Sequence, residues 1–152
     1  MTDYKRINAG VSALVDGVPH VIANLANVSA LLWQEMDNIN WVGFYVVSGE
    51  TLVLGPFQGK PACIEIPLGK GVCGTAAATG EIQLVPDVHE FPGHIACDAD
   101  SNSEIVLPIK DDSGRVIAVL DIDSPVKARF CAEDASGLAE TAKIVENAVF
   151  RG

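Results

Sequence analysis

One cysteine of the sequence lies in a segment of turn-forming residues. Residues 91–104 read FPGHIACDADSNSE, in which Cys97 follows Pro92 and Gly93 and precedes a run of Asp, Ser and Asn that favours turns. A thiol on a polar loop is open to solvent and substrate, so it can act as a nucleophile where its surroundings favour the thiolate. The acidic neighbours oppose ionisation, so activation would fall to His94, to backbone N–H groups or to the substrate. A structural cysteine is the commoner case, and the choice depends on the rest of the chain.

The chain has four cysteines, Cys63, Cys73, Cys97 and Cys131. Their spacings of 10, 24 and 34 residues include no C-x-x-C pair and fit no zinc ribbon or knuckle. Because neither a signal peptide nor a membrane-spanning run is visible, we expect a cytoplasmic protein whose thiols stay reduced. His89 and His94 could supplement a metal site, but the pattern favours redox chemistry or plain packing of the thiols.

Acidic side chains form a second candidate group. In the segment 115–123, strand alternation predicts one apolar face of Val116, Ala118, Leu120 and Ile122. Asp121 and Asp123 share the opposite face, and Glu104 lies opposite the apolar residues of its own segment. One interpretation is a solvated strand end. The other is a carboxylate-lined pocket, in which repulsion raises the pKa so that one group could act as a general acid and the others could receive a substrate ammonium group.

Aromatic and glycine residues give weaker signals. Trp41 and Tyr45 share one face of a predicted strand with Gly43 between them. Core packing is the default for such rings, although the glycine would leave room for a small ligand. Residues 69–74, GKGVCG, match G-x-G-x-x-G, but the helix after them ends at Gly80 and the surrounding strands are predicted to be antiparallel. A dinucleotide site needs a full helix and parallel strands, so we predict a glycine turn.

Hydrophobic periodicity predicts the elements that position these residues. Helical spacing relates Val21, Leu25, Val28 and Leu32, and likewise Leu138, Ala142, Val145 and Val149. The predicted helices cover 3–15, 19–36, 71–79 and 132–150. The predicted strands cover 41–47, 51–54, 63–66, 82–85, 104–109 and 115–123, the last two as a hairpin. This order indicates an α+β fold, and the long loop 86–103 is where a functional segment is expected.

Composition limits the classes of function. At 152 residues, 49% hydrophobic and 20% charged, the chain suits a single domain over 1–152 with one good core and is not intrinsically disordered. Its formal net charge of −10 repels phosphate backbones, so we expect no nucleic-acid partner. Its basic residues are too scattered for binding to a membrane surface.

Five motifs resemble those of a known family. They are NWVGFY at 40–45, GKGVCGT at 69–75, FPGHIACD at 91–98, SNSEIVLP at 101–108 and VLDIDS at 119–124. Together they are similar to the free methionine-(R)-sulfoxide reductases, which are single GAF-domain enzymes. The resemblance implies a GAF fold, with a central antiparallel sheet, N- and C-terminal helices on one face and a ligand pocket on the other. It also implies reduction of free L-methionine-(R)-sulfoxide to L-methionine.

The resemblance assigns roles to particular residues. The implied thiols are Cys97 as the catalytic cysteine, Cys63 as the resolving cysteine and Cys73 as an auxiliary thiol. The implied pocket residues are the carboxylates Glu104, Asp121 and Asp123 and the indole of Trp41. Tyr45, on the same strand face as Trp41, is a further candidate for substrate binding. Cys131 matches none of the motifs, and we expect it to be structural or incidental.

The implied chemistry is a thiol-dependent reduction. A carboxylic acid protonates the sulfoxide oxygen and Cys97 attacks the sulfur, so that methionine leaves and Cys97 becomes a sulfenic acid. Glu104 and Asp123 are both candidates for that acid, because coupled carboxylates titrate as a group. Cys63 then forms a disulfide with Cys97, which thioredoxin would reduce. No metal or organic cofactor is required, and a homodimer is expected by analogy with other GAF domains.

Two other interpretations stay open at this point. A GAF domain that senses a cyclic nucleotide or another small molecule would have the same fold, although a sensor normally has an attached output domain. A peroxide-type redox sensor would use Cys97 and Cys63 but would leave the three carboxylates without a role. The substitution Cys97→Ser separates these classes, because it should abolish sulfoxide reduction and leave the affinity of a sensor intact.

Overall fold

The computed structural model describes residues 1–95 and 97–151 of the chain. Its helices are α1 (Tyr4–Val15), α2 (Val21–Glu35), α3 (Gly71–Thr79) and α4 (Ala132–Val145), with a 3-10 turn at Val88–Glu90 and a π-helical turn at Glu146–Phe150. Its strands are β1 (Trp41–Ser48), β2 (Thr51–Gly59), β3 (Glu65–Pro67), β4 (Gln83–Val85), β5 (Ser103–Lys110) and β6 (Val116–Ser124). The predicted α+β class is confirmed.

The six strands form one antiparallel sheet in the order β3-β2-β1-β6-β5-β4. β1 and β2 pair as one hairpin, β5 and β6 pair as another, and β1 pairs with β6 at the centre of the sheet. The middle of the sheet therefore consists of β1, β6 and β5, the strands that contain most of the predicted site residues.

Helices α1, α2 and α4 cover one face of the sheet. Leu25, Leu32 and Leu138, which helical spacing predicted to be buried, pack there with Leu107 and Leu120 of the sheet. Each of these five leucines is at most 1% exposed, and burying a side chain of this size contributes about 1.5–3 kcal/mol. This layer is the main apolar core.

Helix α3 covers part of the second face. Its Val72, Cys73 and Ala76 join a smaller buried cluster with Val106 and Val119 of the sheet. Successive residues of β5 and β6 thus alternate between the two clusters, as a pleated strand requires. The predicted arrangement, with the terminal helices on one face and a pocket on the other, is confirmed.

Strand β2 is longer than the sequence indicated. We predicted a strand over 51–54, whereas β2 continues through Gly55 and Pro56 to Gly59. The pairing with β1 shifts register across the glycine and the proline. Such an irregularity tolerates the missing N–H of proline, so the strand passes through two residues that normally end one.

A second bulge changes the face of one residue. Ile109 is opposite Ala118, and Lys110 is opposite Val116, so Ile117 is the extra residue of β6. Ile117 packs against the helix-side core and Val116 against the α3-side cluster. The prediction that Val116 shares the face of Ala118 is therefore wrong.

Other boundaries differ by a few residues. The strands predicted over 63–66 and 82–85 are β3 and β4, the helix predicted over 132–150 divides into α4 and the π-helical turn, and the predicted loop 86–103 contains the 3-10 turn. Within the described ranges, every helix is too short or too polar to cross a lipid bilayer.

Candidate active site

A pocket opens on the α3 side of the sheet. Its walls come from β1, β3, β5 and β6, from the start of α3, from residues 61 and 62, and from residues 94, 95, 97, 98 and 101 of the loop before β5. It encloses about 530 Å³ including its open mouth. The predicted site residues that line it are Trp41, Tyr45, Cys73, Cys97, Glu104, Asp121 and Asp123. Cys63 adjoins the pocket through its bond to Cys97.

Cys63 and Cys97 form a disulfide bond beside this pocket. Their Cα atoms are 5.6 Å apart, a separation that a disulfide spans without backbone movement. Cys63 precedes the edge strand β3 and Cys97 lies on the loop, so the bond joins the sheet edge to the loop. Cys73 and Cys131 are free thiols. The structure thus brings together the two cysteines that the resemblance pairs, while their catalytic roles stay predictions.

Tyr45 lines the pocket, but its hydroxyl group is already engaged. It donates a hydrogen bond of 2.9 Å to the backbone carbonyl of Cys63. Burial, reinforced by the charge of Asp121, raises the pKa of the phenol, so the hydroxyl keeps its proton. Tyr45 therefore holds the backbone of a disulfide cysteine and offers a ligand its ring rather than its hydroxyl group.

Trp41 belongs to a stack of three rings. Its centroid lies 5.9 Å from that of Tyr45 and 5.1 Å from that of Phe57, and its Nε1 donates to the carbonyl of Lys60 at 3.1 Å. A Cβ atom at Gly43 would overlap Phe57. The expectation that Gly43 leaves room for a ligand is therefore wrong, because this glycine admits the side chain of Phe57 against the sheet.

The three carboxylates meet across the β5–β6 pair. Glu104 lies directly opposite Asp123, and Asp121 lies opposite Val106, two residues farther along the same face. Glu104 is 7% exposed and Asp121 is 5% exposed, while Asp123 is half-buried. The alternation predicted this shared face correctly, and a solvated strand end does not describe it.

Burial makes these carboxyl groups weaker acids than exposed carboxyl groups. It is the main cause that raises the pKa of Glu104 well above its ordinary value, and the charges of Asp121 and Asp123 add to it. Burial, then the charge of Asp121, raises the pKa of Asp123 well above its ordinary value. Burial also raises the pKa of Asp121, while the neighbouring polar groups of Glu104, Cys73 and Asp123 favour its charged form. The cluster titrates as one group and can hold protons where an exposed carboxylate could not.

Cys73 extends the acid cluster from α3. Its Sγ lies 3.9 Å from Oε2 of Glu104, and burial, then the charge of Asp121, raises the pKa of the thiol well above its ordinary value. Cys73 is therefore a protonated thiol in this setting. One ligand atom each of Cys73, Glu104 and Asp121 lie within 4.8 Å of one another, which is the arrangement of a candidate cation site.

His94 faces the carboxylates at the pocket wall. Its Nε2 lies 3.9 Å from Oε1 of Glu104, and burial, then the charge of His89, lowers its pKa. The imidazole is therefore neutral near pH 7. His89 is exposed, with Nε2 3.1 Å from Oδ1 of Asn102, so the two histidines do not converge on a metal site.

Asn40 ties the loop of Cys97 to the sheet, a role that we did not predict. Its Nδ2 donates to Asp98 and to Ser101, each at 3.1 Å, and its backbone N–H donates to the carbonyl of Asp123 at 2.9 Å. Asn40 opens the NWVGFY motif, so a polar residue just before an apolar strand was the available signal.

The glycine-rich segment forms the predicted turn. Gly69 and Gly71 have positive φ of 86° and 64°, which favours glycine, and the N–H of Gly69 donates to the carbonyl of Gly74 at 2.8 Å. α3 begins directly after Lys70, whose side chain caps none of its N–H groups. The first N–H groups of a helix lack intrahelical acceptors, and here they belong to residues that line the pocket.

The fold and the pocket together define a class of protein. The GAF domain family matches residues 12–149, so the chain belongs to this family, and the predicted GAF fold is confirmed.

Relatives narrow the class further. The free methionine-R-sulfoxide reductase of Escherichia coli (strain K12) is 55% identical over 137 residues, which are 90% of this chain and 82% of that protein. The structure of fRMsr of Staphylococcus aureus in complex with substrate has a TM-score of 0.93 at 50% identity, covering 98% of this chain and 97% of that chain. The free methionine-R-sulfoxide reductase of Neisseria meningitidis, in complex with its substrate, has a TM-score of 0.91 at 46% identity, covering 95% of this chain and 86% of that chain. The chain belongs with the free methionine-R-sulfoxide reductases, and the predicted oxidoreductase class is confirmed.

Proposed function

We propose that this protein reduces free L-methionine-(R)-sulfoxide to L-methionine, with Cys97 as the nucleophile and Cys63 as the resolving thiol. The observation that carries the proposal is the Cys63–Cys97 disulfide beside a buried cluster of weakly acidic carboxyl groups. A dithiol supplies two electrons and a weak acid supplies a proton, and sulfoxide reduction needs both.

The first step transfers oxygen to Cys97. A carboxyl group of the cluster protonates the sulfoxide oxygen, which makes the sulfur electrophilic. Cys97 attacks that sulfur to form a transient S–S adduct and gives its thiol proton to the carboxylate. The hydroxyl group then moves to Sγ of Cys97 as the S–O and S–S bonds to the substrate sulfur break, so methionine leaves and Cys97 becomes a sulfenic acid. The strongest candidates for this acid are Glu104 and Asp123, because their pKa values are raised well above the ordinary value. The two residues are opposite each other in the sheet.

The second step closes the disulfide. The thiol of Cys63 attacks the sulfenic sulfur of Cys97, an S–S bond forms and water leaves. Thioredoxin, as the external dithiol, then reduces the bond by exchange and returns both thiols. Tyr45 assists by holding the carbonyl of Cys63, whereas Cys73, whose thiol is buried against Glu104, serves as an auxiliary thiol.

Recognition of a free amino acid follows from the charges of the pocket. The substrate ammonium group would meet Asp121 and its neighbours, since a buried carboxylate favours an adjacent cation. The substrate carboxylate would bind the uncapped N–H groups at the start of α3, where the helix dipole favours an anion. A methionine sulfoxide inside a peptide lacks both charged groups. Trp41 would contact the S-methyl group and so favour the (R) epimer.

The wider setting is part of the same proposal. Residues 1–152 would act as a single domain in the cytoplasm, as a homodimer, and would recover methionine under oxidative stress. The reaction requires no metal and no organic cofactor.

The test is NADPH oxidation coupled through thioredoxin reductase and thioredoxin. Free L-methionine-(R)-sulfoxide, its (S) epimer and a peptide-bound sulfoxide are compared in parallel with reduced protein. Turnover is expected with the first alone, and Cys97→Ser should abolish it while Cys131→Ser leaves it unchanged. Retained turnover in Cys97→Ser would refute the assignment of the nucleophile, and failure of all three substrates with wild-type protein would favour a sensing function.

A further inference from the structure

Within the part of the chain that the structure describes, the acid cluster of the pocket makes no salt bridge with a lysine or an arginine. Among the described residues, the salt bridges of lysine and arginine all involve carboxylates other than Glu104, Asp121 and Asp123. Of the basic residues that line the pocket, His94 lies 3.9 Å from Glu104, and Lys70 is exposed.

One atom of the cluster lacks a partner. Oδ1 of Asp121 is buried and accepts no hydrogen bond from the described residues, and Asp121 is 5% exposed in the wall of the pocket. A buried carboxylate oxygen without a donor is energetically unfavourable. A cation bound beside Asp121 would satisfy such an atom.

We propose that Cys73, Glu104 and Asp121 bind a zinc-type divalent cation, and that this cation blocks the pocket. The ligand set is one thiolate sulfur and two carboxylate oxygens. As the metal binds, the S–H bond of Cys73 breaks, its proton goes to solvent and an S–metal bond forms. No electrons are transferred, and the cluster exchanges protons for the cation.

The distances suit a metal with tetrahedral coordination. Zn–S bonds of about 2.3 Å and Zn–O bonds of about 2.1 Å put neighbouring ligand atoms about 3.5 Å apart. Sγ of Cys73 is 3.9 Å from Oε2 of Glu104, and all three ligand atoms lie within 4.8 Å of one another. Rotamer adjustments of about 1 Å or less therefore close the site, and water or His94 can complete it.

The donor types select the metal. A thiolate ligand favours the binding of Zn²⁺ or Co²⁺ over that of Mg²⁺ and Ca²⁺, which prefer oxygen ligands. A divalent ion also offsets two of the three negative charges that two carboxylates and one thiolate bring to the site. The expected ligand is therefore a borderline-soft divalent ion rather than an alkaline-earth ion.

The consequence for catalysis depends on the function proposed above. The metal and the substrate ammonium group would both bind Asp121, so they would compete. A reductase of this kind would be inhibited by zinc through Cys73 and the carboxylates, without oxidation of any thiol.

Binding is tested with Co²⁺ on the disulfide form of the Cys131→Ser protein, in which Cys73 is the sole remaining thiol. One equivalent of Co²⁺ should produce a near-ultraviolet thiolate-to-cobalt absorption band that Zn²⁺ abolishes and Mg²⁺ does not. Cys73→Ser should remove the band, and Asp121→Asn should weaken binding at least about tenfold. No band, or a band that persists in a folded Cys73→Ser protein, would overturn the proposal. If Cys73→Ser does not fold, unchanged affinity in Asp121→Asn overturns it instead.

Competition is tested in a protein with Cys63, Cys97 and Cys131 all replaced by serine, so that substrate binds without turnover. Free L-methionine-(R)-sulfoxide should raise the apparent dissociation constant of Co²⁺ in proportion to its concentration. If the sulfoxide does not change the affinity for cobalt, the metal site stands but its overlap with the substrate site is refuted. This outcome separates the inference from the proposed function.

Discussion

The stability of the Glu104→Gln protein relative to the wild type is expected to increase as the pH rises. The same substitution is expected to slow sulfoxide reduction. Glu104 is 7% exposed and faces Asp123 across the sheet. Burial, then the charges of Asp121 and Asp123, raises its pKa well above the ordinary value. The folded state therefore binds this proton more tightly than the unfolded state does. The resulting stability is complete below the unfolded pKa of about 4.3 and is lost as the pH rises toward the folded pKa.

The size of the expected change in stability follows from the one proton that Glu104 retains in the folded state. Between the unfolded and the folded pKa, the free energy of unfolding falls by up to about 1.4 kcal/mol per pH unit for each proton that the folded state alone retains. Glu104→Gln removes one such proton and one neighbouring charge, so the fall with pH should be shallower by up to that amount. The amide stays neutral at every pH, keeps nearly the same shape and cannot act as the acid.

The assay is urea unfolding of the disulfide form from about pH 5 to about pH 8, in steps of about one unit. The matched control is Glu140→Gln, the same chemical change at an exposed position of α4. The control should run parallel to the wild type, and the Glu104 variant should rise above both with increasing pH. Stability curves of wild type and Glu104→Gln that stay parallel over this range would refute the claim that Glu104 holds a proton in the fold.

Three further predictions concern the thiols, the loop and the core. Cys63→Ser should give about one methionine per enzyme with thioredoxin as the reductant, and repeated turnover after a second substitution, Cys73→Ser, would contradict the resolving role. Asn40→Ala removes two hydrogen bonds to the loop of Cys97, worth about 1 kcal/mol each, and should slow disulfide formation in single-turnover experiments more than it raises the KM of the sulfoxide. Leu138→Ala should cost about 2–5 kcal/mol of unfolding free energy with the KM of the folded fraction unchanged, and an altered KM would mean that the helix side couples to the pocket.

The sequence predicted what depends on regular periodicity. The period of two in β5 and β6 placed Asp121, Asp123 and Glu104 on one face, and the structure brings them together there. Helical spacing likewise identified Leu25 and Leu138 as core residues. In each case a single repeat determines which way a side chain points, so local information was sufficient.

What the sequence did not predict depends on contacts between distant segments. Phe57 fills the space beside Gly43 because a register shift prolongs β2 through Gly55 and Pro56. The tie from Asn40 to Asp98 joins residues 58 positions apart. Neither the bulge nor the tie has a periodic signal, so both needed the folded chain.

The two faces of the sheet divide stability from chemistry. Burying several acids beside one another is unfavourable by several kcal/mol per charge unless they are protonated or paired, and the leucine-rich core on the opposite face of the same strands offsets that cost. Glu104, Asp121 and Asp123 are consequently fixed on paired strands. Cys97 instead lies on a loop held by polar contacts and by its bond to Cys63, and segments with few apolar contacts open most easily. In the proposed mechanism the thiol has to reach first a sulfoxide and then Cys63, while the acid has to stay in place, so that mechanism requires this division of a rigid acid from a movable nucleophile.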